Sequence, residues 1–327
     1  MRHIRKAFCM ATPRTGKQGR DPAAQITALI LDKLERGVMP WARPWGSRGA
    51  GGRPLRHCGT PYTGINTLFL WAVADASGYR SRHWMTYRQA QALGGQVRRG
   101  EAASLSVFYS QFSKKEKGRL TCEAQTRRIR FLKAYGVFNA DQIDGLPEHY
   151  YPPETPSEVR EPSEHRAKID GFFARLPIDT RHGGNSAYFS PSGDYVQLPA
   201  HEQFHSEELY ASTYAHEAIH WTGGKARLDR TFGKRFGDSA YAFEELVASI
   251  GQCLVCAELE LPPELHDNHA SYIDHWLRIL KRDNSAIIHA AAKAEAAFAY
   301  LQALAAGNGA NEAPHTAEQR EDLAEAA

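Results

Sequence analysis

The distribution of charge along the chain most constrains its architecture, because the two halves carry opposite net charge. Residues 1–135 contain 25 lysines and arginines against 7 acidic residues, a net charge of +18. Residues 136–327 contain 15 lysines and arginines against 30 acidic residues, a net charge of −15. Halves of such opposite character predict two domains with different partners. The first half has the electrostatics of a protein that binds a polyanion.

The composition changes along the 327 residues predict two domains of ordinary size in the α+β class. One is a basic α+β domain, and the other is a mainly helical domain with a small sheet. The predicted segments are a flexible basic arm (1–20), the basic domain (21–147), a Pro-rich acidic linker (148–164), the mainly helical domain (165–306) and a disordered tail (307–327).

Hydrophobic periodicity and capping residues place the elements of both halves. In the basic half we expect a helix over 22–36, a helix capped by Asn66, a helix capped by Thr86, and a basic hairpin formed by 105–112 and 128–138. In the acidic half we expect a hairpin within 187–198 and three helices at about 207–221, 240–260 and 269–305.

Several classes of protein are disfavoured by the sequence. No apolar run approaches the roughly 20 residues that a membrane helix needs, so no membrane partner is expected. The basic N-terminus has no apolar segment behind it that would make a signal peptide. The five cysteines are an odd number and are thinly spread, which favours a reducing, cytoplasmic location.

The strongest chemical signal is the sequence His216-Glu217-Ala-Ile-His220, an HExxH pattern. Residues four apart share a helix face, so His216 and His220 can present both imidazoles to one metal ion. Glu217 would lie beside the ion, where it can take a proton from a water that the ion activates. The alternative is a chance match, since the chain has 15 histidines.

A third ligand is expected from the next helix, because a catalytic zinc keeps three protein ligands and one open position. Glu244 and Glu245 both stand near its start. Helical phase aligns Glu245 with a half-buried, uncharged strip and Glu244 with a flank that looks solvated. We therefore predict Zn²⁺ held by His216, His220 and Glu245, with Glu244 as a surface charge. The CxxC pattern of Cys253 and Cys256 is interpreted as core.

These residues resemble the zincin-like metallopeptidases whose third ligand is a glutamate. The resemblance implies a strand edge above the metal that holds an extended peptide, and the hairpin near 188–198 stands in the right place in the sequence. Relatives often carry an acidic residue one turn after the ligand glutamate, where this chain has Ser249. A serine there would weaken metal binding or turnover. Candidates for stabilising an oxyanion are Tyr241, His266, His269 and Tyr272.

The basic half interleaves cations with aromatic residues, which is what sequence-tolerant binding of single strands requires. The alternative is that its tryptophans form a core and its arginines a solvated face. The candidate DNA-binding residues are Trp41, Arg43, Trp45, Arg53, Arg56, Tyr62, Trp84, Arg98, Arg99, Lys114 and Lys115.

Ordered motifs of this half resemble a known family. They are Gly37-Val-Met-Pro-Trp41, Gly59-Thr-Pro-Tyr62-Thr-Gly64-Ile-Asn66, Trp84-Met-Thr86-Tyr and Val137-Phe-Asn-Ala-Asp-Gln142. They are similar to the N-terminal domain of ArdC-type antirestriction proteins, a domain shared with plasmid TraC-type primases. The resemblance implies a single-stranded DNA-binding domain joined to a zincin-like domain, carried by conjugative plasmids or phages, that protects incoming DNA from restriction.

Three functions follow as hypotheses. The first is a single-stranded DNA-binding antirestriction protein with a zinc metallopeptidase-like domain. The second is an active zinc metallopeptidase that the basic domain delivers to DNA-bound protein substrates. The third is a primase-type replication protein, which is disfavoured because no acidic metal cluster for nucleotidyl transfer is evident.

Overall fold

The computed structural model describes residues 22–41, 52–117, 124–151, 162–233, 239–261 and 269–307. Side chains between 109 and 132 are not part of this description. The helices are α1 (Pro22–Glu35), α2 (Ile65–Ser77), α3 (Tyr87–Ala92), α4 (Pro162–Ala174), α5 (Glu207–Thr222), α6 (Ser239–Leu259), α7 (His269–Arg282) and α8 (Ala286–Ala305). The strands are β1 (Leu55–Arg56), β2 (His83–Met85), β3 (Gln96–Val97), β4 (Ser104–Lys117), β5 (Ala124–Asn139), β6 (Ile143–Asp144), β7 (Asp179–His182), β8 (Tyr188–Ser190) and β9 (Tyr195–Leu198).

Local capping chemistry sets the small helices of the basic half. Thr86 accepts a hydrogen bond from the Gln89 amide, and the Gln89 side chain bonds back to the Thr86 amide, so α3 begins with the expected capping box. The prediction that Asn66 caps α2 is wrong, because α2 begins at Ile65 after Gly64. The Asn66 side chain instead exchanges two hydrogen bonds with the backbone of Val107, which ties α2 to β4.

The basic hairpin is present and is longer than predicted. β4 and β5 pair antiparallel from Ser104 opposite Val137 to Lys117 opposite Ala124. These strands join β1 and β2 in a four-stranded sheet with the order β1-β2-β5-β4. Met85, Ala90 and Ile143 belong to a small separate core beneath α3, β3 and β6.

The acidic half combines α5 to α8 with a three-stranded sheet in the order β7-β9-β8. The expected hairpin corresponds to β8 and β9, whereas β7, which pairs parallel to β9, was not predicted. The single helix expected over 269–305 is wrong, because Asp283 ends α7. Its carboxylate accepts hydrogen bonds from the Ser285 amide and hydroxyl, and α8 begins after that turn.

A continuous hydrophobic core joins the two halves. It runs from Ile26 and Trp41 through α5 and α6 to Phe298 on α8. The buried Arg53 guanidinium pairs with Glu295 of α8 at 2.7 Å and lies over the Phe298 ring. By length and composition α6 could cross a membrane. It is instead the central helix of this core, and 83% of its most apolar segment is buried. The predicted α+β class with a mainly helical second domain is confirmed.

The predicted arm, most of the linker and nearly all of the tail lie outside the described residues, as do Arg43, Trp45 and His266. Cys253 and Cys256 are buried free thiols within the core, as predicted.

Candidate metal centre and its family

Helix α5 presents the HExxH residues to the interior of the second domain. Ser206 caps the helix by accepting a hydrogen bond from the Leu209 amide. Glu207 and Glu208 in the first turn suit the positive end of the helix dipole. His216 and His220 are both buried and lie on one face, with ring centroids 4.8 Å apart.

Helix α6 crosses this face and brings Glu245 to the two imidazoles. Its carboxylate oxygens lie 3.5 Å from His216 Nε2 and 3.6 Å from His220 Nε2. Bonds of about 2.0–2.2 Å at tetrahedral angles would separate neighbouring ligand atoms by about 3.3–3.5 Å. The Glu245 carboxylate therefore stands from each imidazole at nearly the spacing that a tetrahedral divalent ion requires, and the ligand atoms of all three side chains lie within 4.8 Å of one another.

Gln252 orients His216. The Gln252 side-chain amide donates to Ser212 Oγ at 2.7 Å, so its oxygen faces His216 Nδ1 at 3.2 Å. Because that oxygen can only accept, His216 carries its proton on Nδ1 and turns the Nε2 lone pair toward Glu245.

Glu244 orients His220, and its assignment to the solvated surface is wrong. Glu244 is only 3% exposed, and its Oε1 lies 3.3 Å from His220 Nδ1. Arg230, from the loop before α6, donates to the same carboxylate at 2.8–3.1 Å. Arg230 also donates to the Ile219 carbonyl at the end of α5. Helical phase alone would place Glu244 on the solvated side of α6. Its ion pair with the buried Arg230 turns it inward instead.

Ser249 does not stand in place of a carboxylate that orients a histidine. Its hydroxyl accepts a hydrogen bond from the Trp41 indole N–H at 2.9 Å. Since Glu244 and Gln252 already hold the two imidazoles, the serine is no reason to expect a weak metal site.

Glu217 lies near the edge of the three-stranded sheet, where the backbone of Phe189 in edge strand β8 acts to lower the pKa of its carboxyl. Burial raises the pKa of Glu217, and His216 and His220 offset part of that increase. The expected strand edge near the metal site is thus present.

The electrostatics of the site favour a cation. Burial alone would lower the pKa of His220, but Glu245 and Glu244 outweigh it and raise that pKa to about 10. Burial would likewise raise the pKa of Glu245, yet His220 and His216 hold it well below its ordinary value. The proton that His220 holds takes the electrostatic place of a metal ion, so the donor set fits a divalent cation.

Comparison with known proteins agrees with both halves of the fold. A family model for the N-terminal domain of anti-restriction factor ArdC matches residues 20–138. A model for a zincin-like metallopeptidase matches residues 167–293. The metal-free crystal structure of antirestriction ArdC from plasmid R388 is 44% identical, with a TM-score of 0.74 over 88% of this chain and 99% of that one.

This chain belongs to the ArdC family of antirestriction proteins. The R388 protein has also been solved with Mn(II) bound, at 42% identity, a TM-score of 0.72, and coverage of 88% of this chain and 98% of that one. The zincin-like fold implies a divalent metal in the ArdC family.

Other relatives extend the family. Uncharacterized protein y4eC of Sinorhizobium fredii is 39% identical over 88% of this chain and 93% of its own length. DNA primase TraC of Escherichia coli is 36% identical over 83% of this chain, but the match spans only 26% of the primase. The similarity to TraC thus concerns one part of a much longer protein.

A row of aromatic side chains links the ArdC-type N-terminal half to the ligand helix. Trp41 packs against Trp276 with ring centroids 5.7 Å apart, and Trp276 stacks on Tyr272 at 6.0 Å. The Tyr272 and Tyr241 hydroxyls are 3.2 Å apart, and Tyr241 hydrogen-bonds Glu245. Of the four candidates for stabilising an oxyanion, the described side chains of Tyr241 and Tyr272 therefore lie beside the site.

Several DNA-binding candidates prove to be buried. Trp41 and Trp84 are at most 1% exposed, and Tyr62 is 3% exposed, so none offers a free ring face to a base. Arg53 is buried against Glu295. Their assignment as DNA contacts is wrong, because these side chains complete the core or join the two halves.

Arg56, Arg98 and Arg99 are less buried than these residues. Arg56 is half-buried, with its guanidinium over the Tyr62 ring at 5.4 Å. Arg98 and Arg99 are exposed at the start of the segment between β3 and β4. Lys114 and Lys115 occupy the distal part of β4.

Proposed function

We propose that this ArdC-family protein binds single-stranded DNA through its basic hairpin and neighbouring arginines, and that this binding protects incoming DNA from restriction. The register of β4 and β5 carries the proposal. Lys114 is paired with Arg127, so a lysine and an arginine occupy opposite positions in the ladder. Opposed like charges destabilise a sheet, and a polyanion relieves that repulsion.

The hairpin is also suited to follow a phosphate backbone. Arg128 is paired with Ser113, and Lys115 with Thr126, so cations recur along both strands. Phosphate contacts of this kind give affinity without sequence preference. A DNA-coating role needs only such contacts, which agrees with the burial of most of the predicted stacking residues.

The full chain is expected to bind a labelled oligothymidylate more tightly than a duplex of equal length. The logarithm of its binding constant should fall linearly with the logarithm of the salt concentration, with a slope of about −0.7 per phosphate contacted. The double substitution Lys114→Gln with Arg127→Gln should weaken binding and make the slope shallower by about 1.4. Fluorescence anisotropy across a salt series measures both quantities.

A control that removes a positive charge elsewhere is Lys293→Gln, which replaces an exposed lysine of α8 and should leave the slope unchanged. Affinity that stays flat between low and moderate salt, or a preference for duplex, would contradict DNA binding of this kind.

The ion of the metal site is proposed to be zinc. Two imidazole nitrogens and one carboxylate at tetrahedral spacing form the donor set of many catalytic zinc sites. His216, His220 and Glu245 would hold the ion, and Glu244 and Gln252 would keep both imidazoles aligned.

Peptide hydrolysis is a second candidate function, favoured by the contact between Glu217 and the edge strand β8. A bound divalent ion would supply Lewis-acid polarisation of water and of a peptide carbonyl. The outer edge of β8 could align an extended segment of a DNA-bound protein by strand addition. Glu217 would take the proton of the attacking water and pass it to the leaving amine, for which its raised pKa is suited.

The Glu217→Gln variant tests this second function. It should retain metal, fold and DNA binding, and lose cleavage of a DNA-bound protein by about 10²–10⁴-fold. Cleavage that persists in this variant would exclude Glu217 as the base.

A further inference from the structure

An open cavity of about 760 Å³ lies on the basic half, away from the metal centre. It is enclosed by α3, β3, β6 and the end of β5, above the small core that contains Met85 and Ile143. Its lining includes an aromatic part, Tyr87 and Phe138, and a charged part, Arg98, Arg99 and Glu101. We call it the Tyr87 pocket.

Tyr87 is held in place although its ring faces solvent. The ring is 43% exposed, one of three large apolar side chains so exposed in the described part of the chain. Its hydroxyl accepts a hydrogen bond from Gln96 at 3.3 Å, and its ring meets Phe138 in an edge-to-face contact at 6.4 Å. An aromatic ring that is both fixed and exposed is a stacking platform for an unpaired base.

The two arginines of the pocket differ in their electrostatic state. Arg98 pairs with Glu101 at 3.0 Å and with Asp144 at 3.3 Å, so its charge is balanced within the lining of the pocket. Arg99 has neither an ion pair nor a hydrogen bond to any side chain that the structure describes. The neutralised charge of Arg98 disfavours a phosphate beside it. The guanidinium of Arg99, which has no such partner among the described side chains, favours one.

We propose that the Tyr87 pocket takes one base of single-stranded DNA, stacked on Tyr87, while Arg99 binds the adjoining phosphate. This proposal rests on the proposed single-stranded DNA binding and assigns one subsite to it. The base enters as a neutral, flat group against the aromatic part of the lining. The hairpin supplies further phosphate contacts along the same strand.

The test compares the full chain with Tyr87→Leu and Tyr87→Phe by anisotropy on two oligonucleotides of equal length. One is an oligothymidylate, and the other carries abasic sites throughout. Tyr87→Leu keeps apolar bulk and removes the ring face, so it should weaken oligothymidylate binding roughly 5- to 100-fold, the range that stacking of one base supports. Its affinity for the abasic strand should change less than about twofold, since phosphate contacts remain.

Tyr87→Phe keeps the ring and should bind both strands like the unsubstituted chain. Thermal melting of each variant verifies the fold, which an exposed side chain should leave intact. The Tyr87 pocket is excluded as a base site if Tyr87→Leu binds oligothymidylate normally, or loses equal affinity for both strands. If the unsubstituted chain fails to bind oligothymidylate at all, the proposed function fails together with the subsite.

Discussion

Glu245→Ala is expected to abolish retention of the divalent metal, because it removes one of the three ligands proposed among the described residues. Glu244→Gln is expected to weaken metal binding by about 10–100-fold, the usual effect of removing a partner that orients a ligand. The glutamine keeps a hydrogen-bond acceptor near His220 and Arg230, which alanine would remove, and it removes the negative charge that pairs with Arg230. Metal content after dialysis, and competition with a chelating dye, measure the two effects.

The matched control on the same helix is Glu258→Ala. Glu258 is exposed near the end of α6, and its substitution should leave metal content unchanged. If metal is retained in Glu245→Ala and lost in Glu244→Gln, the third ligand is Glu244 and not Glu245.

Trp41→Ala is expected to lower the free energy of unfolding by about 3–5 kcal/mol, the range for removing a large aromatic side chain from a core. Trp41 is fully buried, packs on Trp276 and donates to Ser249 on the ligand helix. Trp41→Phe keeps most of the packing but loses the hydrogen bond, and should cost about 1–2 kcal/mol. Urea denaturation of both variants gives the comparison.

A surface tryptophan that contacts only DNA would behave differently. In that case Trp41→Ala would unfold at the same urea concentration as the unsubstituted chain and lose only affinity for DNA. That result would refute the structural role of Trp41 between the two halves.

Features set by local sequence could be predicted well. The HExxH spacing places two imidazoles on one face, Thr86 caps α3 as expected, and Ser206 caps α5. Helical phase, a local property, singles out Glu245, whose carboxylate oxygens lie 3.5 Å and 3.6 Å from the Nε2 atoms of His216 and His220. The basic hairpin was visible in two β-like runs joined by a charged connection.

Features set by distant contacts could not be predicted in the same way. Glu244 turns inward because Arg230, fourteen residues earlier, brings a guanidinium into the core. Trp41 and Ser249 are 208 residues apart, so neither sequence position signals the other. The break between α7 and α8 did have a local signal, the Asp283-Asn284-Ser285 turn, within an otherwise helical pattern.

The most direct test of protection through DNA binding is the efficiency of plasmid transfer by conjugation into a restricting host. Cells producing the Glu217→Gln variant should be protected as well as cells producing the unsubstituted protein. Cells producing the Lys114→Gln and Arg127→Gln double variant should lose protection. If cells producing Glu217→Gln are no better protected than cells with an empty vector, although the variant still binds single-stranded DNA, this mechanism is contradicted. Protection would then depend on the metal site.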